Sequence, residues 1–128
     1  MKVMHREEIT EPLETPSGEV IFELIGKAAG DPANHSLAQI VIPSGKSSLP
    51  HYHKLSQETY FILAGEGTMR VNDKEFVLGP GQACHIEQGE LHQINNQGED
   101  DLVFLAVCVP PWVPGDSFAA QIKGRSPS

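Results

Sequence analysis

The chain has 128 residues, a formal net charge of −8 at pH 7, 39% hydrophobic residues and 20% charged residues. This composition is typical of a soluble globular protein, and the length suits one domain with one core. The acidic balance argues against nucleic acid or an anionic membrane surface as a partner.

Neither end of the chain predicts export or membrane insertion. The N-terminal residues lack the apolar stretch of a secretory signal. The longest apolar run, residues 102–109, is far shorter than the roughly 20 residues that cross a bilayer. We therefore expect a cytoplasmic protein without a membrane partner, in which Cys84 and Cys108 are buried free thiols.

The predicted elements, taken in chain order, are short strands separated by turns. A β-prone segment at residues 20–25 ends at Gly26, and a small, polar loop with an Asp-Pro turn signal follows up to residue 34. Further strands are expected at residues 37–42, 59–63, 68–71, 75–78, 83–86, 92–95 and 102–109. Residues 72–74 are expected to form a hairpin turn.

No helical stripe of useful length is visible, so the pattern predicts an all-β sandwich or barrel. We assign residues 1–120 to a single barrel domain and residues 121–128 to a flexible C-terminal tail.

A group of potential metal ligands lies in the middle of the chain. Side chains alternate along a strand, so His51 and His53 point the same way, about 7 Å apart. The polar residues 54–57 are expected to form a bend that brings the next strand back antiparallel, with Glu58 on it. His92 comes from a distant strand, directly after a glycine turn.

Three imidazoles and one carboxylate suit one divalent transition metal, namely Mn, Fe, Zn, Ni, Co or Cu. Four protein ligands leave one or two exchangeable positions, which distinguishes a catalytic site from a closed structural one. A divalent ion would change the charge of the ligand set from −1 to +1, and the site could then attract a carboxylate, enolate or phosphate.

At these residues the chain resembles the cupin superfamily, and specifically its small single-domain members with a conserved barrel. The first cupin motif, within residues 45–65, is matched by Gly45, His51, His53, Glu58 and Gly65. The second motif, within residues 81–96, is matched by Gly81, Gly89, His92 and Asn96. The proline that stiffens the turn of the second motif is replaced by Glu87, while Gly89 and His92 remain in step.

The resemblance implies a double-stranded β-helix, also described as a jelly-roll barrel, with His51, His53, Glu58 and His92 as metal ligands. It leaves the activity open, because cupins include dioxygenases, decarboxylases, isomerases, epimerases and plain binding proteins. Two classes of function remain. One is a metalloenzyme acting on a small polar substrate such as an acid, a diketone or a sugar derivative. The other is a non-enzymatic module that binds or senses a small ligand.

Other polar residues near the motifs are weaker candidates. Tyr60 shares the inward face of its strand with Glu58 and could orient a substrate or donate a proton, or it could be a core aromatic. His85 is read as structural rather than as a fifth ligand, and Asn96 as a turn residue. Glu90 is interpreted as a solvated acid on a turn, Arg70 as an exposed cation on a strand, and Trp112 as a packing residue.

The sequence also suggests a homodimer. The strand at residues 20–25 precedes the motifs and is expected at a sheet edge, where unpaired backbone groups invite a partner. A symmetric pair of chains would cover that edge, or a neighbouring sheet face.

Overall fold

The computed structural model describes residues 1–121 of the chain, and its regular structure is almost entirely β. Two 3₁₀ helices of three residues, Arg6–Glu8 and Pro114–Asp116, are the helical segments of this part of the chain. The strands are β1 Leu13–Glu14, β2 Val20–Ile25, β3 Ser36–Ile42, β4 His51–Tyr52, β5 Gln57–Ala64, β6 Gly67–Val71, β7 Lys74–Leu78, β8 Ala83–Ile86, β9 His92–Asn95, β10 Leu102–Val109 and β11 Phe118–Ala119.

The strands form two antiparallel sheets, which confirms the predicted all-β fold. The six-stranded sheet has the order β1-β2-β3-β10-β5-β8, and the five-stranded sheet has the order β11-β4-β9-β6-β7. Each predicted strand is present, with bounds that agree within two residues at either end. The predicted C-terminal tail lies, beyond Gln121, outside the described residues.

The apolar alternation of the sequence explains how the sheets pack. In β3 and β10, every second residue is buried, because successive side chains point to opposite faces. Ile40, Phe104 and Ile62 lie side by side across three strands of the larger sheet. Met69 and Ile94 of the smaller sheet belong to the same buried cluster. Each such side chain contributes roughly 1.5–3 kcal/mol when fully buried.

Two tight turns depend on left-handed backbone. Asn72 and Asp73 connect β6 to β7, and Asn72 adopts a φ of 52°, which asparagine tolerates better than most residues. Gly65 has a φ of 78°, and a Cβ atom there would lie 2.5 Å from the carbonyl oxygen of Asp101. Glycine at the end of the first motif is therefore required by the close passage of a second chain segment.

The structure corrects two details of the sequence interpretation. The segment at residues 54–57 does not return the chain antiparallel to β4. His51 of β4 pairs with His92, whereas Gln57 at the start of β5 pairs with Val109, so this segment crosses from the smaller sheet to the larger one. The strand at residues 20–25 is also not the outermost strand, because β1 pairs with its first two residues.

Within the part of the chain that the structure describes, no helix is long and apolar enough to cross a membrane.

Candidate metal centre

The four predicted ligands come together between the two sheets. His51 on β4 lies directly opposite His92 on β9 in the smaller sheet, and His53 follows β4. Glu58 faces inward from β5 of the larger sheet, where it is 6% exposed. One potential ligand atom from each of the four residues lies within 4.8 Å of the other three, so the group could hold one metal ion.

The carboxylate of Glu58 is the point on which the histidines converge. Its Oε1 atom lies 3.2 Å from Nε2 of His92 and 3.5 Å from Nε2 of His53. The His51 ring completes the group, with its centroid 4.3 Å from that of His92 and 5.1 Å from that of His53.

Each of the three imidazoles is oriented by a backbone carbonyl. The Nδ1 atom of His51 lies 2.7 Å from the oxygen of Leu49, that of His53 lies 2.9 Å from the oxygen of Asp116, and that of His92 lies 2.9 Å from the oxygen of Glu90. A carbonyl oxygen only accepts, so Nδ1 must carry the proton. In a neutral ring the lone pair then lies on Nε2, which is the arrangement that metal-binding histidines use.

Asp116 holds the segment that crosses between the sheets. Its carboxylate accepts hydrogen bonds from the backbone N–H groups of Lys54, Leu55 and Ser56 at 2.9, 2.9 and 3.0 Å. Burial alone would raise its pKa, but these three donors lower it below the usual value. Because the Asp116 carbonyl also accepts from His53, one residue fixes both the ring and the connection to Glu58.

The turn before His92 keeps its shape without the proline of the second motif. The backbone N–H of Glu87 donates to Oε1 of Glu90 at 2.9 Å, and the N–H of Glu90 donates to the oxygen of Glu87 at 3.2 Å. A proline could not make the first of these bonds, because it has no N–H. Gly89, with a φ of 78°, donates to the oxygen of His53 at 2.7 Å and links the two motifs.

The pKa shifts reflect one buried, tightly packed group. Burial lowers the pKa of His51 to about 4, with a further contribution from the neighbouring His92. Burial also opposes protonation of His53, but its contact with Glu58 outweighs this and raises the pKa. Burial would raise the pKa of Glu58, yet its close contacts with His53 and His92 hold it well below the usual value.

The donor set fits a transition metal. Nε2 of His53 is fully buried and has no hydrogen-bond partner among the residues that the structure describes. Leaving such an atom unpaired costs free energy, which a metal–nitrogen bond would offset. Three neutral imidazole nitrogens with one carboxylate oxygen match the preferences of divalent zinc, iron, copper, nickel, cobalt and manganese.

Two further side chains adjoin Glu58. Tyr60 is 1% exposed and follows it on the inward face of β5. Burial, followed by the charge of Glu58, raises the pKa of Tyr60 well above its ordinary value. The thiol of Cys108 donates to Oε2 of Glu58 at 3.1 Å. The sequence predicted a buried thiol at Cys108, but no local signal indicated this contact.

The weaker candidates lie outside the four-residue group. His85 is exposed, and its Nδ1 shares a hydrogen bond with Thr59 Oγ1 at 3.1 Å. The amide of Asn96 donates to backbone oxygens of Ile42 and Asp100 at 2.8 Å, as suits a turn residue. Arg70 lies 3.6 Å from the carboxylate of Glu75. Sequence reasoning missed Asp116, which is 58 positions after Glu58 and has no distinguishing motif.

A two-sheet antiparallel barrel with three histidines and one glutamate gathered between its sheets defines the class of double-stranded β-helix proteins with a candidate metal site. Residues 38–108, more than half of the chain, match the family model of the cupin domain. The chain therefore belongs to the cupin family, as the two motifs predicted.

Relatives and solved structures agree with this assignment. The chain is 31% identical over 118 residues to an uncharacterized protein of Methanocaldococcus jannaschii, covering 91% of this chain and 94% of that protein. It is 38% identical over 93 residues to an oxalate-binding protein of Thermotoga maritima, covering 72% and 77%. The crystal structure of a predicted oxalate decarboxylase from Thermotoga maritima matches with a TM-score of 0.74 and 33% identity, covering 85% of this chain and 99% of that one.

Proposed function

We propose that this chain is a small metalloenzyme in which His51, His53, Glu58 and His92 hold one divalent transition metal and a small substrate chelates the same ion. The observation that carries the proposal is the set of three Nδ1–carbonyl contacts, at 2.7 to 2.9 Å. They leave the three Nε2 atoms as the nitrogens available to a metal, in a group whose ligand atoms lie within 4.8 Å of one another. Such pre-orientation is typical of metal sites.

A metal bound there would supply Lewis acidity or, if redox-active, oxygen chemistry. The residues of the chain would do the rest. The three imidazoles and Glu58 would hold the ion, and three of these four residues line a cavity of about 780 Å³, which leaves room for a substrate. Tyr60 lines the same cavity and keeps its phenolic proton at neutral pH. We propose that it orients the substrate or donates a proton.

A second function, binding without turnover, is favoured by one comparison. The relative that is 38% identical over 93 residues is named an oxalate-binding protein, and a binding or sensing module would use the same metal and the same open positions. Tyr60→Phe separates the two. It should reduce turnover at least about tenfold in an enzyme with little change in ligand affinity, whereas a binding module shows no turnover in either form.

The test of the metal site is elemental analysis of protein purified without added metal. Wild-type protein should retain close to one equivalent of a divalent transition metal, and His51→Ala should lose most of it. His85→Ala is the matched control, because His85 is exposed and lies outside the group. Equal metal content and affinity in the wild type and His51→Ala would rule out the proposed ligand set. Iron or copper would favour oxygenation, and manganese or zinc a different reaction.

We also propose a homodimer formed through the outer face of the six-stranded sheet. Phe61 and Leu63 of β5 are 40% and 43% exposed, and β10 places the partly exposed Leu105 beside Phe61. Val103 and Val107 lie on the same face of β10. A continuous apolar surface of this kind on a sheet marks an interaction site, and a second copy of the chain offers a matching apolar face.

A cytoplasmic location is part of the proposal. Cys84 and Cys108 are both free thiols, which is usual for proteins in a reducing compartment.

A further inference from the structure

The cavity next to the candidate metal centre is large and mostly apolar. Its volume is about 780 Å³, within the range of pockets that enclose a drug-sized molecule. Apolar side chains from several regions line it, among them the N-terminal segment, the inner face of the six-stranded sheet and the segment after β10. They include Met4, Ile9, Leu13, Ile40 and Trp112.

The charged groups of this cavity are mainly acidic. Glu11, Glu19 and Glu23 line it in addition to Glu58. Among the described residues, Lys2 is its single lysine or arginine, and the ammonium group of Lys2 lies 2.8 Å from the carboxylate of Asp31. Apart from a metal ion at the candidate centre, the described residues of this cavity therefore offer no uncommitted cation that could neutralise an anionic ligand.

Glu19 is a buried acidic residue of this cavity that lies outside the candidate metal centre. It directly precedes β2 and is 7% exposed. Its backbone is held on both sides, because Glu19 N–H donates to Thr15 Oγ1 at 3.1 Å and Thr15 N–H donates to the Glu19 oxygen at 2.9 Å. Within residues 1–121, no group donates a hydrogen bond to its carboxyl group. Burial, followed by the charge of Glu58, raises its pKa to about 7.

We infer that the ligand of this site is a neutral, largely apolar molecule of ring-system size that presents adjacent oxygen donors to the metal position and a hydroxyl group to Glu19. The inference rests on the proposed metal site and specifies its ligand class. A small dianion such as oxalate would leave most of the cavity unfilled. It would also bring two negative charges to a metal group whose net charge is +1, in a cavity whose other acids, Glu11, Glu19 and Glu23, add no positive charge.

The charge and size preference can be tested with Zn²⁺-loaded protein, because zinc has no redox chemistry to consume the probe. Trp112 is the sole tryptophan of the chain and lines the cavity, so its fluorescence reports occupancy. We expect ortho-hydroxyacetonaphthone to quench this fluorescence in a saturable way. Its dissociation constant should be at least about tenfold lower than that of oxalate, which is measured by displacement of the same probe. Oxalate binding equally or more tightly would overturn the inference.

The role of Glu19 can be tested separately in metal-free protein, where chelation contributes nothing. Wild-type protein should bind 6-acetyl-2-naphthol, whose hydroxyl group is remote from the ketone, about three- to tenfold more tightly than 2-acetonaphthone, which lacks the hydroxyl group. Glu19→Met should abolish that preference, whereas Glu11→Met, at an exposed acid of the same cavity, should retain it. A preference that survives in Glu19→Met, with the circular dichroism spectrum of both variants unchanged, would overturn the assignment of Glu19.

These two measurements keep the inference distinct from the proposed function. Failure of the wild-type protein to bind Zn²⁺ would refute the metal site. The metal-free comparison would then still decide whether Glu19 recognises a hydroxyl group.

Discussion

The strongest test of how this site is assembled is Asp116→Asn. Asp116 is 3% exposed, and its carboxylate accepts three backbone hydrogen bonds from the segment that joins β4 to β5. Asparagine has nearly the same shape, so the change removes charge and one acceptor atom without opening a cavity. It also keeps the backbone carbonyl that accepts from His53.

The magnitude follows from the individual contacts. Oδ1 accepts from Lys54 and Leu55, and Oδ2 accepts from Ser56. In asparagine the oxygen can keep the first two bonds, but the amide nitrogen would face the N–H of Ser56, donor against donor. Bonds to an ionised acceptor contribute about 1.5–3 kcal/mol each, and neutral bonds about half as much. With one bond lost and two weakened, we expect the free energy of unfolding to fall by about 3–6 kcal/mol.

The same substitution should weaken metal binding, although Asp116 contributes no ligand atom. The carboxylate fixes the segment that joins His53 to Glu58, and disturbing a group that positions a ligand lowers metal affinity about 10- to 100-fold. Urea unfolding of the metal-free protein measures the first effect, and Zn²⁺ competition against a chromophoric chelator measures the second. Asp73→Asn, in the exposed hairpin loop, is the control and should change neither quantity. Wild-type stability together with wild-type Zn²⁺ affinity in Asp116→Asn would refute the reasoning.

Three further predictions concern pH, metal-dependent stability and assembly. Zn²⁺ affinity should fall as the pH drops from about 8 to about 6, because His53 must release a proton to bind metal and its pKa is raised. His51 has a pKa of about 4, so its protonation should weaken metal binding only in more acidic solution. A flat affinity over that range, measured by calorimetry, would contradict this. Saturating metal at about 100 times its dissociation constant should raise the free energy of unfolding by about 2.7 kcal/mol in the wild type, and not in His51→Ala, as measured by urea unfolding. Leu105→Lys should convert the proposed dimer to a monomer in sedimentation equilibrium, while Lys74→Leu leaves assembly unchanged; a wild-type protein that sediments as a monomer at high micromolar concentration would exclude the interface.

Local patterns predicted much of this fold, because strand alternation and turn chemistry act over a few residues. Val20–Ile25, Ala83–Ile86, His92–Asn95 and Leu102–Val109 have the predicted bounds. The two-residue strands β1 and β11 were not predicted, since two residues carry no periodicity. The predicted path of residues 54–57 was also wrong. A polar segment looks the same whether it closes a hairpin or crosses between sheets, and the pairing partners of β4 and β5 decide which occurs.

The candidate site could likewise be predicted only in part. The grouping of His51, His53, Glu58 and His92 could be predicted because their spacing matches two cupin motifs. The groups that orient them could not, because Asp116 reaches His53 from a segment 63 positions away. Backbone carbonyls, which orient every one of the three rings, leave no trace in residue type at all. Glu19 likewise lacks a motif, and only the folded cavity distinguishes it from the other acids of the chain.

The two sheets divide the ligand set unequally. The histidines belong to the smaller sheet or follow its strand β4, and Glu58 belongs to the larger one. An ion in this position would cross-link the two sheets and would oppose displacement of one sheet relative to the other. Slow hydrogen exchange should then spread on metal addition from β9 in one layer to β5 and β10 in the other. The same four ligands would thus determine both the chemistry of the site and the rigidity of the barrel.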